Sequence, residues 1–151
     1  MEIALFQPDI PGNTGTILRT AACLGFRLHV IGPAGFDLSD RALKRAGMDY
    51  LEMAALTRHV DWPAFEAWRQ SERRRLVLFT TKAAENFRAF AYRSDDVLLF
   101  GRESAGVPDL VHDAADARLI IPMAPGARSL NLAVAVGMAA AVAGDFWRDS
   151  A

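Results

Sequence analysis

The sequence is poorest in cysteine: Cys23 stands alone, which excludes an intrachain disulfide framework and a cysteine-built zinc site. The three histidines, His29, His59 and His112, fall at no metal-ligand spacing, so no metal is expected. Neither sign of charge is in excess. With 17 basic against 18 acidic side chains, no global basic field marks a nucleic-acid partner, and any RNA contact has to come from a local patch. The opening residues, Met-Glu-Ile-Ala-Leu-Phe, lack the basic stretch and long apolar run of a secretory signal, so a cytoplasmic protein is expected. No internal repeat, low-complexity tract or linker divides the chain.

What is present is a chain of 151 residues, 52% hydrophobic, enough to bury a core without disulfides or structural metal. One domain over 1–151 is expected, with no separate RNA-binding extension. Short apolar runs at Ile3 to Phe6, Leu28 to Ile31, Leu76 to Phe79, Val97 to Phe100 and Leu119 to Ile121 read as strands. Several are apolar at consecutive positions, as in parallel strands covered on both faces. Between them, helical spacing runs from Thr14 to Leu24, Ser39 to Ala46, Pro63 to Ser71, Pro108 to Asp113 and Leu130 to Arg148, with Ser39 and Asp61 as N-caps. The alternation predicts an α/β fold: an open, mostly parallel sheet with helices on both faces.

In such sheets ligands collect where loops leave the carboxyl ends of strands. Three of these loops are unusual. Pro8-Asp-Ile-Pro-Gly-Asn-Thr-Gly15 leads into a helix carrying Arg19, and its glycines suit either a tight turn or close approach of a polar ligand to free N–H donors. Gly101-Arg-Glu-Ser-Ala-Gly-Val-Pro108 sets Arg102, Glu103 and Ser104 between glycines at a strand's end; a capped turn accounts for it equally. Pro122-Met-Ala-Pro-Gly-Ala-Arg-Ser-Leu-Asn131 precedes the final helix, which Ser129 or Asn131 can cap. Neither a complete Gly-x-Gly-x-x-Gly nor a Gly-Lys-Ser/Thr loop occurs, which weakens dinucleotide and ATP readings.

Taken in order, Asn13-Thr-Gly15 with Arg19, Phe100-Gly-Arg-Glu-Ser-Ala-Gly-Val-Pro108, and Ile120-Ile-Pro-Met123 followed by Ser129-Leu-Asn131 resemble the three motifs of the SpoU-type SPOUT RNA 2'-O-methyltransferases. Gly25-Phe-Arg-Leu-His29, Arg45-Ala-Gly-Met-Asp-Tyr50 and Thr80-Thr-Lys82 extend the likeness to the small tRNA wobble-position enzymes of the TrmL group, over nearly the whole chain. The resemblance implies a C-terminal deep trefoil knot and S-adenosylmethionine as methyl donor, with no metal. It implies a donor pocket of Phe79, Thr80, Gly101, Glu103, Ile121, Met123, Ser129 and Leu130. It places Arg19, Ser129 and Asn131 at the reaction, which would methylate the ribose of cytidine or modified uridine at position 34 of tRNA. A guanidinium is almost never deprotonated in proteins, so Arg19 suits charge stabilisation better than base catalysis.

The implied partner is a tRNA anticodon stem-loop, met by Asn13, Arg19, Arg102 and a basic helix face of Arg41, Lys44 and Arg45; such a face is also ordinary solvated surface. Arg73-Arg-Arg75, at a helix end, suits the helix dipole better. No charged residue lies between Leu130 and Gly144, so this helix is expected to be buried on several sides, in the core and in a homodimer interface; it is too short for a membrane span. Many relatives read Asn-Leu-Ser-Asn where this chain reads Asn131-Leu-Ala-Val134, which removes polar contacts that the later side chains could make to tRNA. Two rival readings are a 2'-O-methyltransferase for another tRNA or rRNA position, and a catalytically silent RNA-binding dimer.

Overall fold

The computed structural model describes residues 1–39, 41 and 55–144. Seven strands form one sheet: β1 (Glu2–Phe6), β2 (Arg27–Ile31), β3 (Thr57–His59), β4 (Arg75–Phe79), β5 (Glu85–Asn86), β6 (Asp96–Phe100) and β7 (Ala117–Ile120). Four helices are described: α1 (Pro11–Leu24), α2 (Trp62–Ser71), α3 (Asp109–Ala114) and α4 (Leu132–Ala143). The order across the sheet is β3-β2-β1-β6-β4-β7-β5, and every pairing is parallel. The chain thus steps outward from β1 to β3, then fills the other side with β6 inserted between β1 and β4. That insertion puts the carboxyl ends of β1, β6, β4 and β7 side by side.

Alternation along the strands divides the core into two layers. Ile3, Leu5, Leu28, Val77, Phe79, Leu98 and Phe100 pack with Ile17 and Leu18 of α1 and Val136, Ala139 and Ala140 of α4. Ala4, Phe6, Ile31, Leu76, Leu78, Val97 and Leu99 pack on the other face with Trp62 and Phe65 of α2 and Val111 of α3. Helices cover both faces, which is why the strand runs are continuously apolar. Each large side chain buried this way contributes about 1.5–3 kcal/mol relative to exposure.

All five expected strands are present, and four of them begin one residue earlier than the apolar runs, at polar residues. Two of these, Arg75 and Asp96, are register partners in β4 and β6, and their side chains bond at 2.5 and 2.8 Å, so the pair is satisfied within the sheet. Glu2, nearly inaccessible at the start of β1, meets His29 at 2.5 Å and Arg74 at 3.0 Å. The fifth strand, β7, begins two residues early at Ala117 and ends at Ile120. Strands β3 and β5 carry no apolar run; they sit at the sheet edges and exist through backbone pairing to β2 and β7.

Helix α1 starts at Pro11, three residues before the expected Thr14, because proline is pre-set for a first helical turn and has no N–H to lose there. Asn13 to Gly15 therefore lie in the first turn of a helix and not in a loop. Asp61 caps α2 as expected, accepting from the Ala64 N–H at 2.9 Å. Pro108 is the N-cap of α3 rather than its first residue. The final helix begins at Leu132, not Leu130: the Asn131 side-chain oxygen accepts from the Ala133 and Val134 N–H groups at 2.9 and 3.3 Å. The cap is Asn131 and not Ser129. The helix ends before Gly144, and its expected extension to Arg148 lies outside the described residues. Of the helix expected over Ser39 to Ala46, only Ser39 and Arg41 are described. Among the described residues no helix is long and apolar enough to cross a membrane.

Candidate active site

The carboxyl ends of β4, β6 and β7 open into a cavity of about 440 Å³. Phe79 and Thr80 close β4, Phe100 and Gly101 close β6, and Ile120 with Ile121 closes β7. Met123, the stretch from Arg128 to Leu132 and the turn after β6 supply much of the remaining wall. Phe79 and Phe100 stack at 4.8 Å with rings 15° apart, making an apolar floor. The cavity lies at the carboxyl ends of parallel strands, where ligands collect in open α/β sheets.

Beside it, the chain after β6 folds into a closed turn. The Arg102 N–H donates to the Gly106 carbonyl at 2.9 Å, and the Gly106 N–H returns the bond to Arg102 at 2.9 Å. Gly106 has φ of +63°, a left-handed conformation that favours glycine. At Gly101 a Cβ would stand 2.6 Å from the Gly106 carbonyl carbon. Glycine is required at 101 by the approach of this turn to itself, rather than only by a ligand.

The turn joins the other two loops through side chains. Glu103 accepts from the Asp9 backbone N–H at 3.1 Å and from the Asn13 side-chain amide at 3.5 Å. Asn13 in turn accepts from the Asn131 side-chain amide at 3.0 Å. Ser104 donates a short hydrogen bond to Asp9, and Arg102 stands 3.6 Å from the same carboxylate and 3.4 Å from the Gln7 side-chain oxygen. Burial, and then the hydrogen bond to Asp9, raises the Glu103 carboxyl above its ordinary range; the bonds from Glu103 and Ser104 lower that of Asp9.

A profile of the SpoU rRNA methylase family matches residues 1–141. The chain belongs to this family. It is 58% identical over 136 residues to the tRNA (cytidine(34)-2'-O)-methyltransferase of Beijerinckia indica, covering 90% of this chain and 85% of that one. The enzyme of the same name from Escherichia coli K12 is 43% identical over 150 residues, 98% of this chain and 92% of that one. A solved structure described as giving insights into the 2-OH methylation of C/U34 on tRNA superposes with a TM-score of 0.86 at 44% identity, over 94% and 92% of the two chains. The SpoU methyltransferase AviRb from Streptomyces viridochromogenes, in complex with AdoMet, superposes with a TM-score of 0.86 at 26% identity, over all of this chain and 61% of its own.

In this SpoU methylase all eight residues expected at the donor, Phe79, Thr80, Gly101, Glu103, Ile121, Met123, Ser129 and Leu130, line the one cavity. Asn13, Arg102 and Asn131 line it too. Arg19 does not: it is exposed on α1, more than a turn beyond Asn13. Arg41 is exposed and away from the cavity, while Lys44 and Arg45 lie outside the described residues. Sequence reasoning missed Asp9, Ile10 and Arg128. Ile10 and Arg128 line the cavity, and Asp9 holds two of its loops. The only signal for Arg128 was a charge in a loop of small residues next to Ser129, and for Asp9 an acid in the first loop.

Proposed function

We propose that this SpoU methylase transfers a methyl group from S-adenosylmethionine to the ribose 2'-hydroxyl of cytidine or modified uridine at position 34 of tRNA. The observation that carries this reading is the convergence of the three motif segments, far apart in sequence, on one cavity of about 440 Å³. The reading draws further support from the close relatives named for cytidine-34 methylation. The cavity falls within the roughly 300–1,000 Å³ of small-molecule sites, and its apolar floor and irregular loops suit a flat base with polar edges.

When bound, S-adenosylmethionine supplies a methyl on a sulfonium. Phe79, Ile121, Met123 and Leu130 give its base an apolar slot, while Thr80, Gly101 and Ser129 offer polar atoms along the rim. Glu103 serves this pocket by holding Asn13 and the first loop in place. Asn131 and Ser129 would orient the ribose hydroxyl toward the methyl group, and the hydroxyl proton would pass to water. Arg19 keeps its proton and offsets negative charge developing on that oxygen or on the adjacent phosphate.

Asn13, Arg102 and the basic side chains Arg41, Lys44 and Arg45 meet the anticodon stem-loop. The active unit is a homodimer built on α4, whose Val134, Met138 and Val142 are 52%, 39% and 41% exposed at helical spacing. The absence of Arg19 from the cavity of its own protomer supports an active site assembled from two protomers. The chain is one SPOUT domain over 1–151 with a C-terminal trefoil knot, acting in the cytoplasm. For the knot, the segment after β4 crosses the end of β7, where the Thr80 N–H bonds Leu119 and the Phe87 N–H bonds Ile120, close to the start of the third loop.

Incubation with unmethylated tRNA and labelled donor, followed by nucleoside mapping, tests the reading. Label is expected in the 2'-O-methylated nucleoside at position 34. Arg19→Ala should bind donor and lose most transfer. Label at another tRNA position or only in rRNA overturns the substrate assignment, and absence of donor binding favours a silent RNA-binding dimer.

A further inference from the structure

Asp9 is not part of the cavity wall, yet it has more ties to the second loop than any other residue of the first. Its backbone N–H donates to Glu103 at 3.1 Å, and its Oδ2 accepts from Ser104 and stands 3.6 Å from Arg102. Its own position is set from behind. The Gly35 N–H donates to the Pro8 carbonyl at 2.9 Å, and a Cβ on Gly35 would lie 2.8 Å from the Asp9 Cβ. Asp9 is therefore clamped between the loop after β2 and the turn after β6.

We propose that Asp9 is a positioning residue for methyl transfer: it holds the Glu103 carboxyl against Asn13, and through Asn13 sets the Asn131 amide at the cavity. The inference rests on the donor-cavity reading above. The route is continuous: the Asp9 backbone N–H to Glu103 at 3.1 Å, the Asn13 amide to Glu103 at 3.5 Å, and the Asn131 amide to Asn13 at 3.0 Å, while the Asp9 side chain ties the same turn through Ser104 and Arg102.

The second carboxylate oxygen gives Asp9 its particular chemistry. Oδ1 is enclosed and accepts no hydrogen bond from the ordinary donors of the described residues. An enclosed acceptor without a donor is costly, so a proton is wanted beside it. Glu103 is half-buried, and two neighbouring carboxyls in such a place cannot both ionise readily. A proton shared between the Asp9 and Glu103 carboxyls would serve both needs and leave the pair one negative charge, which faces Arg102. The directions of the two titrations, Glu103 up and Asp9 down, agree with this arrangement. An asparagine at position 9 fills the same space but brings its own donor and removes the charge. Glu103 could then ionise, and the second loop would lose the carboxylate that Ser104 and Arg102 now face.

The test compares the wild type with Asp9→Asn and Asp9→Glu. Three quantities are read: the Glu103 titration by carboxyl carbon NMR, the affinity for S-adenosylmethionine by calorimetry, and kcat and KM on tRNA. In Asp9→Asn the Glu103 midpoint should move to lower pH, and kcat should fall about tenfold or more while donor affinity changes less than about threefold. Asp9→Glu should recover most of kcat. A Glu103 midpoint that is the same in wild type and Asp9→Asn, or a kcat within about twofold of wild type, overturns the proposal. Should Asp9→Asn fail to fold, Ser104→Ala removes one bond to Asp9 and carries the same test, with a moved midpoint and reduced kcat expected and unchanged values overturning it. A wild type that binds no donor overturns the functional reading and this inference together. Normal donor binding and turnover in both wild type and Asp9→Asn overturns the inference alone.

Discussion

Asn131 and Asn13, 118 residues apart, are joined by a 3.0 Å hydrogen bond from the Asn131 side-chain amide N–H to the Asn13 side-chain oxygen. The Asn131 side-chain Oδ1 meanwhile caps α4. One side chain thus ends the third loop, starts the last helix and fixes the first motif against both.

The two jobs of Asn131 can be separated. Asn131→Ala removes cap and tether, and should lower stability by about 1 kcal/mol, the usual cost of a lost N-cap. Asn131→Asp keeps the cap but sets a second acceptor against Asn13, so it should unfold at nearly the wild-type urea concentration while losing turnover. Equal turnover in wild type and Asn131→Asp would remove the tether from the account of the site.

Gly101→Ala should be the most damaging of the small substitutions in the second loop. Its Cβ would lie 2.6 Å from the Gly106 carbonyl carbon, which is backbone and cannot swing aside. The turn has to open, at a cost of about 1–3 kcal/mol by analogy with overpacked cores, and donor affinity should fall about tenfold or more. Gly12→Ala is the control, since nothing lies within 4 Å of its added methyl. Calorimetric titration of both variants with donor decides between a shaped turn and a tolerant one.

The exposed face of α4 should report on assembly. Val134→Asp places a charge at a residue 52% exposed at the start of the apolar stripe, away from the buried Val136 and Ala139. The variant should fold, sediment as a monomer and lose most transfer. A wild type that sediments as an active monomer throughout a dilution series removes the dimer from the proposed function.

A separate cluster links stability to pH. His29 bonds Glu2 at 2.5 Å and His59 at 2.9 Å, under Phe65 and Trp68. Burial, then the charge of His29, holds His59 below its ordinary range. The unfolded chain therefore binds more protons once pH drops below about 6.5, and stability should decline from there toward the depressed folded value. Glu2, held low mainly by its bond to His29, adds a further loss at lower pH, below the ordinary carboxylate value. Thermal melting between pH 7 and 5 should show the decline, and His59→Gln, which bonds without titrating, should flatten its upper part. A wild-type melting temperature unchanged over this interval would contradict the assignment.

Much of the architecture could be read locally because it has local causes. A strand buried on both faces has to be apolar at consecutive positions, so the five central strands were visible in their composition, whereas β3 and β5 were not: their existence depends on neighbours at the sheet edge. Asp61 before a proline-led helix was equally visible as a cap. The choice between Ser129 and Asn131 as cap stayed open because two capping residues stand two apart, and only the path of the backbone selects Asn131.

By itself, the sequence determined the fold class and the family, through apolar runs that must be covered on both faces and through three motifs in a fixed order. Tertiary structure alone decided which of those motif residues meet. Because β6 lies between β1 and β4, Glu103 faces Asp9 and Asn13 across ninety residues or more, Asn131 reaches Asn13, and Arg19 stays outside the cavity. No local pattern encodes such contacts. They follow from strand order and from the side of the sheet on which each helix returns, which are settled only when the whole core packs.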